Sequence, residues 1–170
     1  MKAKRIFTCL LAIILGITLQ LNAQSKKQKK EETQKAIREL IEAQKIKVEV
    51  DIAYPMRGPS KNLTSNYSVE IRNDSVFSYL PYFGIAYSVP YGGGKGLIFN
   101  ERITDYKLTF DKKGMANIRF KTRTEEDNFT YTISIYTSGT ASINVTPTNR
   151  QSISFRGEFI VDIPKDKSIK

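Results

Sequence analysis

Any chemistry performed by this chain has to be done without histidine, because the sequence contains none. That removes Ser-His-Asp and Cys-His nucleophilic sites and every imidazole metal ligand. The single cysteine, Cys9, leaves no intrachain disulfide and no CxxC zinc or redox motif. Carboxylates remain for acid–base work. Glu125, Glu126 and Asp127 are adjacent, in a stretch that reads as a solvated polar turn. Asp51, Glu70, Glu101 and Asp105 fall on expected wet faces or loop ends. No catalytic pair follows from their spacing. The expectation is a non-catalytic protein with no metal site and no cofactor. A carboxylate-dependent hydrolase is the less favoured alternative.

The second chemical feature is the segment 79–99, which holds four of the nine tyrosines and five of the ten glycines. A hairpin connection needs only two to five residues, and long loops in compact domains are often functional. Tyr79, Tyr82, Phe83, Tyr87 and Tyr91 offer apolar ring faces and, for tyrosine, a polar tip. Gly92, Gly93 and Gly94 let backbone approach a ligand closely. These eight residues are the candidate ligand site, for a small hydrophobic or glycan ligand. Two other readings stay open: a structural loop packed over an open end of a sheet, and a surface for an envelope protein. A phosphate loop is excluded, because Lys95 is followed by Gly96 and no helix follows.

The pieces Leu80-Pro81-Tyr82-Phe83-Gly84, Ala86-Tyr87, Pro90-Tyr91-Gly92-Gly93 and Gly96-Leu97-Ile98-Phe99 occur in that order. In this the chain resembles the exported Bacteroidetes family catalogued as domain of unknown function 4251. The resemblance implies a signal peptide, one N-terminal helix and a run of strands. It implies no catalytic residue, since that family has no assigned activity. Asp74-Ser75-Val76 resembles the Asp-Ser/Thr-aliphatic motif of O-glycosylation in exported proteins of Bacteroides-like bacteria, and marks Ser75 as a candidate acceptor.

The elements that must position these residues begin after residue 23. Lys2, Lys4 and Arg5 precede an apolar run from Ile6 to Leu19, and Ala23 precedes the polar Gln24-Ser25. This is the plan of a secretory signal peptide over 1–23. The run is shorter than the roughly 20 residues a spanning helix needs. Cys9 sits near its front, where a lipobox cysteine would not, so a lipoprotein is not expected. The mature chain would be periplasmic or on the cell surface. Removing Lys2, Lys4 and Arg5 from the 27 basic residues leaves 24 against 17 acidic ones, a net charge of +7. The excess is diffuse, unlike the clustered stripe of a nucleic-acid binder. Only Lys26-Lys27 and Lys29-Lys30 are dense, and they could meet an anionic membrane surface.

Residues 24–46 read as this basic start and an amphipathic helix over 27–45, with Ala36, Ile37, Leu40 and Ile41 on one stripe. From Ile46 the period switches to two. Ile46, Val48, Val50, Ile52 and Tyr54 form the first inward set, followed by about seven more strands between short turns up to residue 163. The fold class expected over 47–163 is mainly β, an antiparallel meander of about eight strands forming a sandwich or open barrel. Residues 164–170 are a charged tail.

Overall fold

Alternating apolar and polar residues can bury one face of each strand only if the sheet curls round or stacks. In the computed structural model it curls and closes. The structure describes residues 31, 32, 34–88 and 94–161. The signal segment, the Lys26–Lys30 cluster, Tyr91, Gly92, Gly93 and the tail lie outside them. The chain divides into two units, residues 1–36 and 37–170. Residues 31, 32 and 34–36 of the first are helical.

In the second unit the helix ends at residue 42. Gln44 takes a positive φ of 53° and donates its N–H to the Ile41 carbonyl, which closes the helix without glycine. The helix is therefore three residues shorter at this end than its periodicity suggested. Eight strands follow: β1 Lys45–Pro55, β2 Lys61–Arg72, β3 Ser75–Leu80, β4 Leu97–Phe110, β5 Ala116–Arg123, β6 Asn128–Ile135, β7 Thr140–Pro147 and β8 Ile153–Phe159. Each pairs antiparallel with the next, and β8 pairs with β1. The mainly β antiparallel meander of eight strands expected from the sequence is thus what forms, and it closes into a barrel.

The inward residues fill it. Phe120, Phe129, Tyr131 and Phe155 are the largest of the fully buried side chains. The Phe129 ring lies 5.0 Å from Phe99, and Tyr131 stacks on Phe120 at 5.1 Å. Ile37 and Ile41 of the helix join this core, and Arg38 stands over the Phe110 ring at 4.5 Å.

Two strands depart from strict alternation. In β1 the register slips between Val50 and Ile52. Ala53 is consequently buried and Tyr54 is 42% exposed. The expected inward set thus holds only through Val50, because one extra residue reverses every later side chain. In β4 the slip lies between Thr104 and Lys107, with Asp105 at a φ of 53°. It lets Leu97, Phe99 and Ile103 share the core with Tyr106, Leu108 and Phe110.

Candidate functional site

Antiparallel pairing of β6 with β7 brings the turn before β6 beside the segment after β7. The first contains Glu126 and Asp127, and the second contains Thr148 to Gln151. Asp127 is 2% exposed and Arg150 is 5% exposed. One Asp127 carboxyl oxygen accepts the backbone N–H groups of Asn128 at 2.8 Å and of Thr148 and Asn149 at 3.0 Å. The other accepts Arg150 Nε at 3.1 Å. Arg150 Nη2 donates to Glu126 Oε2 at 3.3 Å. The expectation of a solvated Glu125-Glu126-Asp127 turn holds for the exposed Glu125 and is corrected for Asp127, which is buried. A carboxylate that satisfies three N–H groups and a guanidinium can be buried where an unpaired one cannot.

Between β3 and β4, the described residues 81–88 and 94–96 form a strap fastened to this network. The irregular connection is shorter than 79–99, because Tyr79 and Leu80 end β3 while Leu97, Ile98 and Phe99 begin β4. The Tyr82 hydroxyl donates to the carbonyl oxygen of Gln151 at 2.9 Å, with the Ile85 carbonyl oxygen sharing that hydrogen at 3.2 Å. Its ring lies 5.5 Å from the Arg150 guanidinium. Burial raises the Tyr82 pKa, against a lowering by Arg150. Tyr87 N–H donates to Asn149 O, and Gln151 N–H to Ile85 O. The strap's far end is held by Lys95 N–H, which donates to Glu126 Oε1 at 2.8 Å.

That last bond roofs a cleft. β4 residues 97–102 pair with β3, but pairing with β5 starts only at Ile103–Thr122. Thr122 Oγ1 donates to Arg102 O at 2.9 Å and closes the lower end. Between these two bridges lies an open space of about 350 Å³, whose lining includes Lys95, Phe99, Asn100, Glu101, Thr124 and Glu125. Phe99 is a half-buried floor, held flat by its stack on Phe129 and edge-on against Tyr131 at 6.3 Å. An aromatic floor with a mixed polar rim suits a ligand that has an apolar face and polar edges.

The eight residues expected to bind are not all brought together. Tyr82 is the strap's anchor. Phe83 is half-buried under the Lys61 ammonium at 5.2 Å. Tyr79 is 48% exposed on β3 and stacks on Tyr67 at 5.3 Å. Tyr87 is 68% exposed. Gly94 lies against Glu126, where a Cβ would stand 2.5 Å from Oε2. Tyr91, Gly92 and Gly93 are outside the described residues. Ser75 is half-buried at the two-residue turn into β3 and donates to Asp74 Oδ1 at 3.1 Å. Among the described residues, no three His, Cys, Asp or Glu side chains are arranged to hold a metal ion. Arg150 was not legible as a site residue. Its signal was indirect: strands that pair as neighbours put the residues flanking them side by side.

No curated protein matches the chain. Among solved structures, a DUF4251 family protein from Bacteroides eggerthii DSM 20697 is similar in fold. The TM-score is 0.56 at 18% identity, over 75% of this chain and 87% of that one. A family model described as a domain of unknown function, DUF4251, matches residues 28–159, and the chain belongs to that family.

Proposed function

We propose that this is an exported, non-catalytic binding module of the cell envelope, with its ligand in the cleft between residues 95–101 and 124–126. The observation that carries the reading is the gap in the β4–β5 ladder, roofed by Lys95–Glu126 and floored by Phe99. Two sides of a closed barrel separate there over a ring that is held in place from behind. The polar strap does not act in binding directly. It fixes Lys95 and Gly96 at the rim. The ligand is small, with an apolar face for Phe99 and polar groups for Asn100, Thr124 and Glu125. Export rests on the charged and apolar pattern of residues 1–23.

The test is an amide NMR titration of residues 24–170 against a panel of short-chain fatty acids and aromatic amines. Shifts should concentrate at Lys95, Gly96, Phe99 and Thr124. Phe99→Leu keeps an apolar floor without the ring and should weaken binding about tenfold, on the order of 1.4 kcal/mol. Shifts elsewhere, or none, overturn the cleft. For export, intact mass from the native host should correspond to a chain starting at Gln24, and a retained Met1 rejects it. The same spectrum would show added mass if Ser75 carries a glycan.

A partner-protein reading has one observation of its own. Tyr79 and Ile98 are directly paired on β3 and β4 and are 48% and 43% exposed, with Phe77 at 36%. Co-purification that survives in wild type and is lost in Tyr79→Ser with Ile98→Ser would favour it.

A further inference from the structure

A second groove lies where β1 meets β2 and β8. Its origin is a mismatch in strand length. Val50 pairs with Tyr67, but the next partners are Ile52 and Asn62. One residue of β1 therefore faces four of β2, residues 63–66, that have no β1 partner in the register. A bulge of this size re-aims side chains, and it opens a groove of about 360 Å³. Its lining includes Asp51, Thr64, Ser65, Asn66, Tyr67 and Glu158, with Glu49 beside them and no Lys or Arg.

Three features of this groove point the same way. The first is hydrogen-bonding capacity. Among the described residues, the side chains of Asp51, Thr64, Ser65, Asn66 and Glu158 make no hydrogen bond within the protein. All five are exposed, so their donors and acceptors are open to a ligand from solvent. The second is a fixed aromatic wall. Tyr67 stacks on Tyr79 at 5.3 Å and 29°, which holds its ring at the groove side. The third is charge. Glu49 faces Glu158 across β1–β8, and among the described residues only Lys47 Nζ answers them, at 2.8 Å from Glu49. Like charges set opposite each other cost stability unless something else uses them.

We propose that this groove binds a saccharide that is uncharged or carries an amine. Paired carboxylate oxygens accept hydroxyl hydrogens, while Thr, Ser and Asn both donate and accept. A pyranose ring presents a C–H face to the Tyr67 ring and hydroxyls around its edge. The carboxylate rim repels uronic and phosphorylated sugars. The volume matches the lower range of small-ligand sites. The inference does not rest on the Phe99 cleft, because the two linings share no residue.

The experiment titrates residues 24–170 with maltose, N,N′-diacetylchitobiose and glucosamine, with galacturonate as the anionic control. At least one of the first three should shift amides of residues 49–51 and 63–67. Asp51→Asn combined with Asn66→Ala should weaken that binding at least about tenfold without moving the melting temperature, because both side chains are exposed. Tyr67→Phe keeps the ring and should bind within about threefold of wild type, while Tyr67→Ser should not bind. The proposal is overturned if none of the three probes shifts these amides, or if galacturonate binds equally well. It is also overturned if shifts fall only on residues 95–101 and 124–126, a result that would leave the cleft reading standing.

Discussion

Arg150 and Asp127 show how much one buried pair can organise. The carboxylate gathers three N–H groups from two segments, and the guanidinium reaches the strap through Tyr82 and Glu126. Removing Arg150 strands a charge that water cannot reach. Arg150→Met should therefore cost about 3 kcal/mol, the scale at which breaking a buried pair exceeds losing a surface one. Glu126→Gln should cost less than about 1 kcal/mol, since that side chain is partly wet and keeps its bond to Lys95 N–H through the amide oxygen. Chemical denaturation of the two variants checks the order, and equal losses would mean that Asp127 does not depend on Arg150. The sequence displayed Asp127 only as part of a polar turn and did not mark Arg150 as a site residue. Burial of a polar turn comes from what folds over it, and that information is not local.

At the scale of elements, strands and turns were legible because their signals are local. The Asp111–Gly114 turn has Gly114 at a φ of 83°, and the 137–139 turn has Gly139 at 90°. What alternation could not show was where it would slip. Ile52 and Tyr54 were read on the wrong face because a bulge residue has no compositional mark in β1. The bulge in β1 sits against Gly157, which pairs with Val50 across β1–β8. A Cβ there would collide with the Glu49 carbonyl oxygen and stand 2.7 Å from Val50 Cα. Both are backbone and cannot swing aside. Gly157→Ala should destabilise by about 3 kcal/mol or more, the upper range for overpacking. Gly58→Ala is the contrast, because its Cβ meets nothing within 4 Å and only its φ of 91° is strained. That change should cost about 1–2 kcal/mol. Thermal melts of both variants decide whether close approach or dihedral strain dominates.

The choice between a sandwich and a barrel belongs to the whole molecule. It turns on whether β8 finds β1, a pairing that spans nearly the whole described chain and leaves no trace in periodicity. Closure seals Tyr131 in the core and leaves Tyr82 and Tyr106 half-buried against it, and their burial has a consequence in alkaline solution. Burial raises the pKa values of Tyr82, Tyr106 and Tyr131 above the ordinary value near 10. Tyr131 is raised furthest, although its hydrogen bond with Ser78 acts in the other direction. Tyr106 adds a buried hydroxyl oxygen with no partner among the described residues. A raised folded-state pKa means that the folded chain holds protons the unfolded chain has released. Stability is therefore complete below about pH 9, falls as pH rises past the unfolded value near 10, and continues to fall toward the folded values. Tyrosinate absorbance should rise in two stages, exposed tyrosines first and the buried set together with loss of the fold. Tyr131→Phe removes the largest contribution, while Ser78 keeps its bond to the Leu97 carbonyl at 2.7 Å. Its unfolding midpoint should lie at higher pH than wild type, whatever its stability at neutral pH. An unchanged midpoint would place the alkaline limit elsewhere than at the ring sealed in the barrel centre.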